Sequence, residues 1–483
     1  MIGGDLLESD GLRADRAWRS GDIAAAIEAA DHALARGDDP QCLAAGVAAA
    51  AAAADGGLFD AAERWRAVAS TLDGAPGALA GGRGALAASV VGDVESAERD
   101  LAAARQMVSG AAPRGLTVLL SGVAATLEAL RGEFDAAARR LAGLAVATVP
   151  EDPMSSERWE DLAVTVMVAG GDDRTAWEML TAHPDRPRTT RRRLLKAWLD
   201  LRTGRLADAR AGLAAAGDQA ILRRDAVLAA AVTVGLARRA GDEEALRAAW
   251  HRVAPVLAGA DVEVLLLDAW GELSTAAALV APGERDAIVA VMAAAVARAG
   301  SPAWGEAMMA WWAVQRAVVA DEPTAAEVAA AQLAALDCAD ERTAAARVWA
   351  SILSADAEPA AAIAAAEALA DAGRPWEGAA LCGAAAAKLS EAGDVRELLA
   401  AGRALRATIR TDDRGGAAAH GLSKRERSVG ELLLDGLTQK EIGARLYISP
   451  KTVEQHVARL RQKLVAGNRA ELVAALRARL AVK

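Results

Sequence analysis

The chain has 483 residues, a formal net charge of −10, 53% apolar residues and only 3% aromatic residues. At roughly 150 residues per domain this length predicts about three domains, or fewer if one is a repeat array. Much of the apolar fraction is alanine, which favours close-packed helices and argues against a Val/Ile/Tyr-rich β-sandwich or barrel.

In chain order, the first long feature is a recurring glycine-led phrase. It occurs as Gly21-Asp-Ile-Ala-Ala-Ala, Gly57-Leu-Phe-Asp-Ala-Ala, Gly92-Asp-Val-Glu-Ser-Ala, Gly132-Glu-Phe-Asp-Ala-Ala, Gly171-Asp-Asp-Arg-Thr-Ala, Gly204-Arg-Leu-Ala-Asp-Ala and Gly241-Asp-Glu-Glu-Ala-Leu. Successive copies are 36, 35, 40, 39, 33 and 37 residues apart, with echoes at Gly373 and Gly393 and degenerate copies between. Glycine accepts the left-handed conformation that ends a helix, and the polar or acidic residues behind it favour the start of the next. The phrase resembles the turn of tetratricopeptide (TPR) repeats over about residues 15–405, although the full Trp…Gly…Tyr…Pro consensus is absent. About ten or eleven helix pairs fit at this period. An array of that kind curves and offers a concave face to an effector or a protein.

Tryptophan is over-represented, with 12 Trp against 2 Phe and 1 Tyr. Two readings stay open: anchors for helix packing, or the lining of a ligand groove. The densest group is Ser301-Pro-Ala-Trp-Gly-Glu-Ala-Met-Met-Ala-Trp-Trp312, in which Trp304 and Trp311 share a helix face. They are the candidate ligand-binding residues. The basic run His183–Arg193 reads either as a solvated loop entering a helix or as a contact with DNA or a partner.

Thr411–His420 carries paired glycines and no apolar periodicity, and reads as a linker. It divides the chain into 1–410, 411–420 and 421–483. The net charge conceals the same division: residues 421–483 hold 13 Lys+Arg and 6 Asp+Glu, or +7, leaving 42 and 59, or −17, for the rest. A small basic segment on a large acidic body points to a nucleic-acid module.

Four helix starts follow. Ser423-Lys-Arg-Glu426 and Thr438-Gln-Lys-Glu441 are capping boxes, Ser449-Pro450 is an N-cap followed by proline, and Asn468-Arg-Ala-Glu471 is an Asn-capped variant. They predict helices of about 424–435, 439–446, 450–464 and 469–480. The third places Val453, Val457, Leu460 and Leu464 in one apolar stripe, expected to pack on Leu432, Leu433, Ile442, Leu446 and Ile448. Its other side shows Lys451, Thr452, Glu454, Gln455, Ala458, Arg459 and Gln462, a face suited to phosphates and base edges.

Gly436–His456, with Leu422–Glu426 before it and Lys463–Leu472 after it, resembles the LuxR-type (NarL/FixJ-like) DNA-binding domain. The resemblance covers the last 63 residues and keeps register over four helices. It implies that 450–464 is the recognition helix of a helix-turn-helix unit. Lys451, Thr452 and Arg459 would hold phosphates or adjacent bases, and Glu454, Gln455 and Ala458 fall on base-reading positions. Lys440, Arg461 and Lys463 are candidate phosphate contacts or else solvated charges, and His456 a structural residue near a helix junction. The resemblance further implies double-stranded promoter DNA, RNA polymerase and a second copy on DNA as partners. Val465 replaces a glycine usual in this family.

A P-loop, GxxxxGK[ST], is missing, as are HExxH, GxSxG and any clustered Cys/His set. The chain resembles the helical-repeat and C-terminal parts of the large ATP-binding LuxR regulators without their ATPase. No catalytic residue, metal or cofactor is expected. Cys42, Cys338 and Cys382 are scattered and form no CxxC, which fits a reducing cytosol. No signal-peptide pattern or strongly apolar run of ~20 residues is seen, so a soluble cytoplasmic protein without membrane contact is expected. The expected fold is all-α: a TPR-like helical-hairpin solenoid and then a four-helix LuxR-type domain. The expected function is sequence-specific transcription regulation, with the array receiving a small-molecule or protein signal. The alternative is a TPR-like scaffold whose basic C-terminal domain binds a protein partner.

Overall fold

The computed structural model describes residues 9–409, apart from 38, 40, 41, 109, 147–151, 153, 183–188, 218–221, 242, 337–339 and 357. It also describes 429, 430, 432–434, 437–446, 453, 454, 456, 457, 460, 472, 473 and 476. Close contacts divide the chain into Met1–Arg410 and Thr411–Lys483. Among the described residues the structure is helical, with no strand.

The first unit is a run of antiparallel helix pairs. They are α1 (Asp10–Ser20) with α2 (Ile23–Arg36), α3 (Leu43–Ala54) with α4 (Leu58–Thr71), α5 (Gly74–Val90) with α6 (Val94–Gln106), and α7 (Arg114–Leu130) with α8 (Phe134–Ala145). Next come α9 (Trp159–Ala169) with α10 (Asp173–Thr181), α11 (Thr190–Arg202) with α12 (Leu206–Ala216), and α13 (Arg223–Ala240) with α14 (Glu243–Leu257). The last four are α15 (Leu267–Val280) with α16 (Pro282–Arg298), α17 (Ala303–Ala320) with α18 (Pro323–Ala335), α19 (Glu341–Leu353) with α20 (Pro359–Asp371), and α21 (Pro375–Lys388) with α22 (Ala392–Thr408). Each pair packs together, and from α5 onward each odd-numbered helix also packs on the next odd-numbered one. This arrangement is compatible with a TPR-like array.

The glycine phrase does the turning as expected. Gly21 has φ +82, and the Asp22 carboxylate behind it accepts from the Ala25 backbone N–H at 3.1 Å. Gly92 with Asp93 and Gly171 with Asp172 repeat the device, capping Ser96 and Thr175. Two expected positions differ. Gly56 (φ +86), not Gly57 (φ −88), takes the left-handed place before α4. Gly393 is not a turn residue; it lies in the first turn of α22. In the degenerate stretch Asp321 (φ +54) and Ala355 (φ +59) adopt the left-handed conformation after α17 and α19. Glycine is absent there because the turn is made by other residues at some backbone strain.

Most tryptophans are core anchors. Trp65, Trp198, Trp250, Trp270, Trp311, Trp312 and Trp349 are all 3% exposed or less. Several lie over glycine: a Cβ on Gly122 would meet the Trp159 ring at 2.1 Å. In an alanine-rich array the large indole fills space that small side chains leave open. One core runs from Ala53 to Leu398, and a smaller one joins α1–α5 through Trp65 and Met154.

Distant pairs also abut. The Asp261 backbone N–H donates to the Gly56 carbonyl at 3.1 Å, and the Asp261 carboxylate accepts from the Phe59 N–H at 3.0 Å. The Trp304 indole N–H donates to the Leu130 carbonyl at 3.0 Å. Turns of early pairs thus meet the starts of odd-numbered helices much later in the chain.

Candidate nucleic-acid interface

In the second unit the chain builds a small apolar core. Val429, Leu433, Ile442, Val453, Val457, Leu460, Leu472 and Leu476 are buried together, with Leu432, Leu434 and Leu437 partly buried against them. Val453, Val457 and Leu460 follow the i, i+4, i+7 spacing of one helix face. Their burial against Leu432, Leu433 and Ile442 matches the predicted stripe as far as it is described; Leu464, Ile448 and the side chain of Leu446 lie outside the described residues. Val429 and Leu476 join this core without having been singled out; the spacing of leucines in the first and last helices carries the signal.

Ile442 of this core lies on α23 (Gln439–Leu446). Its start is a closed capping box. The Glu441 carboxylate accepts from the Thr438 backbone N–H at 2.8 Å and from the Thr438 hydroxyl at 2.7 Å. The Glu441 N–H points back to the Thr438 hydroxyl at 3.4 Å. The backbone hydrogen bond from Thr438, aided by its hydroxyl, holds the Glu441 carboxyl below its ordinary value. Two of the orphan donors at the helix start are satisfied in this way.

Of the proposed DNA contacts, Glu454 is helical and exposed beside the buried Val453. Lys440 lies in α23. Lys451, Thr452, Gln455, Ala458, Arg459 and Lys463 lie outside the described residues, as do the caps at 423–426, 449–450 and 468–471. His456 is half-buried, and its Nδ1 has no hydrogen-bond partner among the described residues.

The candidate ligand residues of the first unit are both on α17. Trp311 is 0% exposed in the core. Trp304 is half-buried, bonded to Leu130 and set edge-on to Phe134 with ring centroids 5.4 Å apart. Both indoles are engaged with the protein's own groups.

Sequence reasoning missed a series of buried ion clusters. Arg191 pairs with Asp225 at 2.9 Å and with Glu263, while Arg224 joins Glu263 at 2.8 Å to Glu157. Arg202 lies between Asp173 (3.3 Å) and Asp268 (3.2 Å), with Arg374 3.9 Å from Asp268. Glu272 holds Arg238 at 2.7 Å and Arg239 at 3.0 Å, and Arg239 reaches Glu377 at 3.0 Å. Burial alone would raise the Glu263 and Glu272 carboxyls, but the facing guanidiniums overcome it and hold each at about 2. Burial wins at Glu157 and Asp173, whose carboxyls are raised despite Arg224 and Arg202.

These clusters correct the reading of the basic run at Arg191 and Arg192. Thr189 caps α11 by accepting from the Arg192 N–H, which turns Arg191 and Arg192 inward onto carboxylates. They are neither solvated nor available to DNA. Residues 183–188 lie outside the described residues.

Among the described residues there is no group of three or more His, Cys, Asp or Glu placed to hold a metal ion. Among them also, no helix is long and apolar enough to cross a membrane.

Residues 420–476 match the family described as bacterial regulatory proteins, luxR family. The chain is 53% identical over 51 residues to the transcriptional regulatory protein UhpA of Escherichia coli (strain K12), covering 11% of this chain and 26% of that one. It is 47% identical over 55 residues to the spore germination protein GerE of Bacillus subtilis (strain 168), covering 11% of this chain and 74% of GerE. It is 43% identical over 54 residues to the transcriptional regulatory protein DegU of Brevibacillus brevis, covering 11% and 23%. The chain thus spans about a quarter of UhpA and most of GerE, always through its C-terminal unit. With the buried stripe, the capped α23 and this run of identities in one place, the chain belongs to the luxR family of bacterial regulatory proteins.

Proposed function

We propose that the protein is a DNA-binding transcription regulator in which residues 421–483 read promoter DNA. Residues 1–410 form the array that receives a signal, and 411–420 link the two. The observation that carries this reading is the family match over 420–476, seated on a core whose apolar stripe is that of a helix-turn-helix unit. UhpA and DegU are named as transcriptional regulatory proteins. In this reading the helix over 450–464 enters the major groove. Lys451, Thr452, Arg459, Lys440 and Lys463 hold the backbone, and Glu454, Gln455 and Ala458 meet base edges.

Two copies of the chain sit on DNA and recruit RNA polymerase in this account, and the reaction chemistry of an enzyme is not required. The signal is a small molecule or a protein met by the array. Selection from a random-sequence duplex pool with the full chain tests the reading. It predicts a recovered consensus with two related half-sites. A pool that returns no consensus contradicts it.

A further inference from the structure

We propose that the α20–α21 turn is an ionic clasp, closed on the α11–α13–α15 edge, that anchors the point where the chain leaves the array and opens to regulate the C-terminal unit. The regulatory half rests on the function proposed above; the clasp itself does not.

The clasp is built from residues far apart in sequence. Arg374 faces Asp268 at the start of α15. Glu377 faces Arg239 near the end of α13, 138 residues away. The Trp376 ring is covered by both Arg238 (4.6 Å) and Arg239 (5.0 Å). Pro375 and Ile409 both close on Gly204: a Cβ there would lie 3.0 Å from Pro375 Cγ and 3.3 Å from Ile409 Cγ1. Ile409 directly follows α22 and directly precedes Arg410, the last residue of the first unit. The exit of the chain is therefore seated in the same joint as the ion pairs.

Two joints between distant pairs can be compared. At Gly56–Asp261 the contact includes a main-chain hydrogen bond, and the nearby Arg224 donates to Ser156, Glu157 and Glu263, with Ser156 Oγ and Arg191 Nε left buried without a partner. The clasp is less completely bonded. Asp173 Oδ1 and Asp268 Oδ2 face Arg202 at 3.3 and 3.2 Å without an aligned hydrogen bond, and Oδ2 of Asp173, Oε2 of Glu377, Nε of Arg202 and Nε of Arg239 are buried without a hydrogen-bond partner. Buried charges held by incomplete hydrogen bonds regain hydration when their surfaces part, which offsets the ion pairs that break. The clasp is thus the joint with the smaller cost of opening. Gly373, at φ +82 with only side-chain atoms of Thr203 and Asp173 near it, supplies a pivot before Arg374.

Hydrogen exchange of the full-length protein, read by mass spectrometry, tests the clasp. Amides of 372–378 and 203–206 should exchange at least tenfold faster in Glu377→Gln than in the unaltered protein, with α5–α8 unchanged. Arg239→Gln should accelerate the same amides at least as much, since it also loses Glu272 and the Trp376 face, and the double variant should be no faster than Arg239→Gln alone, since the Glu377 pair is already gone. Unchanged exchange at 372–378, or equal acceleration in α5–α8, overturns the clasp. With a duplex from the selected consensus, Glu377→Gln should change the affinity of the full chain at least threefold. Faster exchange with unchanged affinity overturns the regulatory half and leaves DNA binding intact. A chain that selects no duplex overturns the proposed function while the exchange result stands alone.

Discussion

Gly271 on α15 lies directly under the indole of Trp312 on α17. A Cβ at Gly271 would fall 2.2 Å from Trp312 Cδ1 and Nε1. The same indole N–H donates to the Asp268 carboxylate at 2.8 Å, so the ring cannot retreat without abandoning a buried acceptor. Gly271→Ala should therefore destabilise the array by about 1–3 kcal/mol, the usual cost of overpacking. Gly393 is the control, because nothing lies within 4 Å of a Cβ built there. Gly393→Ala should be neutral or stabilising by up to about 1 kcal/mol. Urea unfolding of the two variants checks the contrast.

Glu272 is fully buried between Arg238 and Arg239. Glu272→Gln leaves two guanidiniums short of a carboxylate and should cost about 3–5 kcal/mol at neutral pH. The pH dependence has a definite sign. The folded carboxyl is held at about 2, below the ordinary value of about 4.3. Its contribution is present above the ordinary value and is lost as pH falls toward 2, amounting to about 3 kcal/mol. Unfolding free energies measured from pH 6 to pH 2.5 should fall less steeply in the variant. An identical slope contradicts the assignment.

The Thr438–Glu441 box makes a local prediction. In Thr438→Ala the Glu441 carboxyl loses its hydroxyl donor and the helix loses its cap. The Glu441 carboxyl should then titrate closer to the ordinary carboxylate range, as read by NMR. A variant whose Glu441 titrates as before shows that the backbone N–H alone holds the carboxyl and the hydroxyl contributes nothing.

Base reading and backbone holding separate by their sequence dependence. Gln455→Ala should cost roughly 1–3 kcal/mol at one position of the selected consensus and relax the preference there. Lys451→Ala should weaken selected and random duplexes alike and make the salt dependence shallower. If both variants act equally on random duplexes, the two roles are misassigned.

Local features were the legible ones. The turns at Gly21, Gly92 and Gly171, the stripe Val453–Val457–Leu460 and the Thr438 box are each set by residues within a few positions of one another. The turns at Asp321 and Ala355 were not legible, because surrounding packing holds non-glycine residues in a glycine conformation. The pairing of Arg239 with Glu377 was not legible either, since it depends on which helices of the array abut. Arg191 and Arg192 misled for the same reason: a run of arginines shows its charge in sequence, whereas its carboxylates lie up to 72 residues away. The fit of Trp159 over Gly122 and of Trp312 over Gly271 was not legible, because it depends on which helices abut.

In the proposed function the C-terminal unit binds duplex DNA through a cationic, base-reading face. The most direct test is the affinity of the full chain for the selected duplex, measured by fluorescence anisotropy across a salt series. Binding should be tighter than to a scrambled duplex, with log K falling linearly as log salt rises. Equal affinity for both duplexes, or binding indifferent to salt, would contradict it.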